Sequence, residues 1–231
     1  MLIRAKFEKL DSVKYISHLE LMDTFRRVFR RAGLPLAYSQ GYNPHIILSL
    51  SQPLKVGMVG RGEYFDLELS EDISPKDFIK SVNQKMPEGI KILEAKKVPE
   101  NIKSLMAVIN TAVYVYDIKL TENAHSEKEL IQKFLKKENI EIIRHRRNKK
   151  DKKLDIRPLI HDAEKFDEGK WAFRVQCGSA GNLRAEEVIR ALSNYYDEFK
   201  YIPLINIERE GLFVNIGDEF YSPLDDKVIG S

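Results

Sequence analysis

The residues most able to do chemistry form a run, Arg144-His145-Arg146-Arg147-Asn148-Lys149-Lys150-Asp151-Lys152-Lys153, in which seven of ten positions are lysine or arginine. Alternating segments at 140–147 and 153–160 flank it, so the run is predicted to cap a β-hairpin. A charged tip of this kind meets phosphates, and each phosphate neutralised releases condensed counterions, the usual origin of salt-dependent nucleic-acid affinity. The competing reading is a solvated turn whose charges keep a sheet edge soluble. Arg157, just beyond, joins the basic set.

A second cluster, Arg26, Arg27, Arg30 and Arg31, stacks at four-residue spacing near the C-terminal end of a predicted helix. Guanidinium groups suit bidentate phosphate contact, although they also complement the helix dipole and Asp23 can pair with Arg27. Next comes a polar, aromatic connection in which Tyr38, Gln40, Tyr42, Asn43 and His45 could stack on bases or bond phosphates. Gly41 and Asn43-Pro44 are equally ordinary turn residues. Gly178, Ser179, Gly181 and Asn182 precede a predicted helix and could offer backbone amides to one anion, against a plain turn capped by Asn182. This spacing fits neither a Walker loop nor a dinucleotide fingerprint.

No catalytic residue is assigned. His18 and His45 could in principle meet as the acid–base pair that metal-free RNA cleavage requires. His18 opens a helix and His45 opens a strand of about 20 Å at 3.3 Å per residue, so one phosphate is not expected to reach both. The single cysteine, Cys177, excludes a disulfide framework and any cysteine-held metal or iron–sulfur cluster within the chain. No metal and no cofactor are expected.

The elements that must position these groups follow from periodicity. Residues 2–9 alternate as a strand, and Ser17-His18-Leu19-Glu20 is a capping box opening a helix to about Ala32, with Leu19, Met22, Phe25, Phe29 and Ala32 as its buried stripe. Residues 45–51 and 62–70 read as strands, Ser74-Pro75 opens a helix to about Met86, and a fourth strand starts at Gly89. Strand, helix, strand, strand, helix, strand is the ferredoxin-like order. After a linker at 99–103 the order recurs: strand 110–120, helix 126–138, strands 140–147 and 153–160, an additional strand 170–177, helix 183–199 and strand 204–210. The expected fold is α+β, with tandem ferredoxin-like halves at 1–98 and 104–231, antiparallel sheets and helices packed on one face.

At 231 residues, 43% hydrophobic and 32% charged, the chain can bury two cores without staples. No apolar run approaches the roughly 20 residues of a membrane span, and the N-terminus lacks the apolar core of a signal peptide. A reducing, cytoplasmic setting is expected, with no membrane partner. The net charge of +3 alone does not demand a nucleic-acid partner.

Residues 14–69, KKDKKLDIRPLI and CGSAGNLRAEEV together resemble the radical SAM-linked proteins, a bacterial domain family of unassigned function, over nearly the whole chain. In that family the domain stands alone or follows a radical SAM enzyme, so the resemblance implies an accessory role beside a separate enzyme. The element order is also similar to the CRISPR repeat-processing endoribonucleases, but residues 208–223 lack their glycine-rich basic loop. The expected function is a non-catalytic RNA-binding protein that presents RNA to a radical SAM enzyme. Its alternatives are a protein-docking module without RNA contact, using Tyr195, Tyr196, Phe199 and Tyr201, and a metal-independent endoribonuclease.

Overall fold

A computed structural model describes residues 1–121, 126–146, 149–200, 202–217 and 219–230. In chain order the first part holds β1 (Leu2–Lys9), α1 (His18–Arg31), β2 (Leu48–Leu50), β3 (Val59–Glu68), α2 (Pro75–Asn83) and β4 (Ile90–Val98). A short α3 (Leu105–Val108) leads to β5 (Thr111–Asp117), α4 (Glu127–Leu135), β6 (Glu141–Arg146), β7 (Lys149–Asp155), β8 (Ile160–Asp167) and β9 (Lys170–Gln176). The chain continues with α5 (Ala185–Tyr195), β10 (Ile207–Ile216), β11 (Glu219–Tyr221) and α6 (Asp226–Ile229).

The architecture is mixed α+β around one large, mostly antiparallel nine-stranded sheet, ordered β4-β1-β3-β10-β5-β9-β8, with β2 on β3 and β11 on β10. The N-terminal strands are ordered β4-β1-β3-β2 and the C-terminal ones β10-β5-β9-β8. The two groups of strands meet where β10 runs parallel to β3, at Glu208 opposite Val59 and Arg209 opposite Gly60. That approach needs glycine, because a Cβ on Gly62 would lie 2.8 Å from the Glu210 carbonyl.

Alternation sets the faces. Ile3, Ala5 and Phe7 of β1 and Phe65 and Leu67 of β3 point to α1 and α2, where Phe25, Phe29 and Phe78 complete a buried cluster. Ring centroids there lie 5.0 Å apart for both Phe7–Phe25 and Phe25–Phe65. Ser17 caps α1 as predicted, accepting from the Glu20 amide while the Glu20 carboxylate accepts from the Ser17 amide. The buried stripe is shifted, however: Leu21, Phe25, Val28 and Phe29 face the core, while Leu19 is 74% exposed. Spacing of i, i+4, i+7 and i+8 fits the 3.6-residue period better than a stripe begun at Leu19.

In the second half, Ala112, Tyr114, Tyr116 and Phe173 pack under α4 and α5, and the Tyr116 hydroxyl donates to the Ala185 carbonyl at 2.9 Å. Two expectations need correction here. The element outside the main sheet is the β6-β7 hairpin, which forms its own two-stranded ribbon, whereas residues 170–177, expected as the addition, supply interior strand β9. Its neighbour β8 was not predicted. As an edge strand mostly open to solvent it carries Asp162 and Glu164, both paired with Arg174 of β9, so its sequence reads as a polar connection. The predicted strand at 45–51 shrinks to β2, preceded by a single bridge between Tyr38 and Ile46.

The sheet face opposite α1 and α2 is covered by the linker and the C-terminal segment. Arg4, fully buried, forks onto Asp66 at 2.8 and 3.0 Å and donates to the carbonyls of Lys103 and Pro223. Tyr64 meets Ser222 at 3.3 Å, and Lys96 donates to Leu224. No helix among the described residues is long and apolar enough to cross a membrane.

Candidate functional site

The basic run lies on a hairpin as expected, with Arg146 opposite Lys149; Arg147 lies outside the described residues. Its charges do not act alike. Arg144 is a strut: Nε and Nη2 fork onto Glu187 at 2.6 Å each, Nη2 also donates to the Asn182 carbonyl, and Glu187 is only 2% exposed. This bidentate bond fixes the ribbon against α5. Lys153 pairs with Glu141 and His145 with Asp151, both in solvent, and Lys150 and Lys152 stay on the exposed surface. Arg157 also turns out to hold the fold, donating to the carbonyls of Leu135 and Ile160 at 2.8 Å. An open groove beside the ribbon is lined by Ile143, His145, Lys153, Arg190 and Asn194. Arg190, on α5, was missed in the sequence because it stands alone among acidic and apolar neighbours.

Arg27, Arg30 and Arg31 project into solvent from the last two turns of α1. Asp23 pairs with Arg26, not Arg27, at 2.9 Å. Tyr38, Gln40, Tyr42, Asn43 and His45 follow the same end of the helix and are all exposed, with Tyr42 wholly so. The Ser39 hydroxyl closes this loop, meeting His45 Nδ1 at 2.9 Å. His18 lies toward the opposite end of α1, lining a small cavity with Lys9, Leu50 and Ser51. The chain must run from His45 through β2 to reach that cavity, about 16 Å over five extended residues.

The seam where β3 meets β10 holds buried, multiply hydrogen-bonded charges. Arg209, 2% exposed, forks onto Glu63, with Nε to Oε1 at 2.7 Å and Nη2 to Oε2, and also donates to the carbonyls of Gln52 and Pro53. Burial alone would lower this guanidinium, but the Glu63 carboxylate outweighs it and holds the pKa above its ordinary range. Lys9, 2% exposed, donates to the carbonyls of Lys14 and Ile16, and burial lowers its pKa despite attraction from Glu63. Glu63 sits opposite Phe7, and Arg209 opposite Tyr114. Cross-strand partners share a face, so the pair bonds the helix-bearing face of one half to that of the other.

Beside this pair is a cavity of about 240 Å³ lined by Gln52, Pro53, Met58, Tyr114, Cys177 and Arg209, with Lys55, Asn182 and Arg184 also bordering it. Lys55 bonds Glu186 of α5 across the seam. Gly178, with φ +89°, comes so close to the Ile109 carbonyl that a Cβ would sit 2.9 Å away. Of the expected anion loop, only Asn182 borders the cavity, and the helix cap is Arg184, whose amide donates to Glu187 at 3.0 Å, in place of Asn182. Burial pushes the Cys177 thiol up to about 12 and raises Tyr114. A thiol so protonated is no nucleophile near neutral pH. Among the described residues no group of three or more His, Cys, Asp or Glu could hold a metal ion.

Residues 2–185 match the family described as "Uncharacterized protein conserved in bacteria (DUF2344)", and the chain belongs to it. No curated protein matches the chain.

Proposed function

We propose that the protein is a non-catalytic RNA-binding accessory protein that presents RNA to a separate radical SAM enzyme. The observation that carries the RNA part is the lysine- and arginine-rich ribbon β6-β7, which stands outside the main sheet and is locked onto α5 through Arg144 and the buried Glu187. A ribbon held at one end presents its charges in a fixed direction, as backbone recognition of a polyanion requires. Exposed Tyr38 and Tyr42, in the connection that follows Arg27, Arg30 and Arg31 in the chain, offer stacking surfaces. The radical SAM partner rests on the sequence resemblance alone. We read the matching strand orders as two ferredoxin-like halves, 1–98 and 104–231, the second carrying the inserted ribbon.

A filter-binding titration with a structured RNA tests this. Micromolar binding at about 0.1 M salt, where the Debye length is near 10 Å, is expected, and its absence contradicts the reading.

A second reading, protein docking, is favoured by a different surface from the one expected. Phe199 is 5% exposed and Tyr195 and Tyr196 are half-buried, while Tyr201 lies outside the described residues. Tyr15, Leu19, Val56 and Ile205 are among the exposed apolar groups, and Tyr15 and Ile205 both approach Gly57. Cleavage by His18 and His45 is disfavoured, since His18 opens α1 whereas His45 lies in the connection that follows its C-terminal end.

A further inference from the structure

The seam cavity has a composition that the ribbon lacks. Its floor is Met58, Tyr114 and Cys177, all buried, and its inner wall carries the Gln52 amide and the edge of the Arg209 guanidinium. Exposed Lys55 and Arg184 stand at its mouth, one from each half. An apolar, aromatic floor with fixed hydrogen-bonding groups suits a flat heterocycle, and a cationic rim suits the anion attached to it. Size narrows the class. A cavity of roughly 150 Å³ holds one benzene-sized ring, so about 240 Å³ accepts one larger heterocycle and leaves its sugar and phosphate at the opening.

We propose that this cavity seats a single unpaired nucleotide, with the base inward against Tyr114 and Met58 and the 5′-phosphate between Lys55 and Arg184. Seating draws Lys55 away from Glu186, which otherwise holds it across the seam. The proposal rests on the RNA reading only for the source of the nucleotide. Bound RNA would supply it from a loop or bulge, where a base is already unstacked and costs least to extrude. Arg209, its donors held by Glu63 and the Gln52 and Pro53 carbonyls, shapes a fixed wall, and the buried Gln52 side-chain nitrogen, which has no hydrogen-bond partner among the described residues, is the donor that meets the base.

The test uses the full chain and the 5′-monophosphates of adenosine, guanosine, cytidine and uridine, titrated calorimetrically beside the four nucleosides and inorganic phosphate. Saturable binding of at least one monophosphate is expected, with its nucleoside and free phosphate each at least tenfold weaker. Arg184→Ala and Lys55→Gln, both at exposed positions, should each weaken it at least fivefold, with far-UV circular dichroism unchanged. A Lys150→Glu/Lys152→Glu chain should bind the monophosphate as the wild type does. No saturation at millimolar monophosphate, phosphate binding as tightly as nucleotide, or binding lost in the ribbon variant but kept in Arg184→Ala overturns the proposal. RNA binding without monophosphate uptake overturns the cavity assignment and leaves the RNA reading standing, whereas monophosphate uptake without RNA binding does the reverse.

Discussion

The seam and the ribbon handle charge in opposite ways. At the seam, Arg209 and Glu63 are both under 5% exposed, and the guanidinium also donates to two main-chain carbonyls of the 52–53 segment. Removing either partner strands the other charge in a low dielectric, which makes the pair a structural commitment. On the ribbon, Lys152 and Lys153 stand in solvent, where an ion pair is worth about 0–1 kcal/mol and folding is nearly indifferent to their identity. Arg144 belongs by sequence to the ribbon and by physics to the seam's class, since its partner Glu187 is buried. Charge density along a chain therefore says little about which charges hold a fold and which remain free to meet a ligand.

The largest expected effect breaks the seam. Arg209→Ala leaves Glu63 buried and unpaired and should cost about 3–5 kcal/mol in urea denaturation. Arg209→Met with Glu63→Leu should recover much of that, because an apolar pair of similar volume avoids the desolvation. A cost under about 1 kcal/mol for the single variant would place Arg209 in the solvated class. Arg144→Ala comes next, at about 1–3 kcal/mol for leaving the Glu187 carboxylate with fewer donors. Hydrogen exchange should then quicken in β6 and β7 ahead of β5 and β9.

A smaller effect lies in pH. Burial raises the Cys177 thiol from about 9 to about 12 and the Tyr64 hydroxyl from about 10 to about 12. Both folded-state values exceed the unfolded ones, so this contribution is fully present below pH 9 and is lost as pH rises toward 12. Stability of Cys177→Ala should consequently decline less steeply than wild type between pH 9 and 10. Parallel curves would show that the thiol is not buried as described.

The sequence makes the caps of α1 and α2 and most strands legible because capping boxes and two-residue alternation are local signals. Ser17 with Glu20, and Ser74 before Pro75, appear where expected. The seam was missed although a signal was present: Lys9 follows Ile3, Ala5 and Phe7 on one face, Glu63 precedes Phe65 and Leu67, and Arg209 follows Ile207. A charge on the apolar side of an alternating strand marks a buried, partnered group, but which charge meets which depends on β3 meeting β10 across nearly 150 residues of chain. The misplaced α1 stripe has the opposite cause. Leu19 looks apolar in isolation, and only the packed sheet shows which side of the first turn is covered.

The smallest effect on stability belongs to the ribbon, and there the functional claim is most exposed to test. Lys150→Glu with Lys152→Glu should shift unfolding by no more than about 0.5 kcal/mol. The decisive measurement is the slope of log affinity for a structured RNA against log salt, wild type beside this variant. Each lost phosphate contact should flatten the slope by about 0.7–0.9, so the account predicts a shallower slope and weaker binding at every salt concentration. Equal slopes and equal affinities in the two proteins would contradict it.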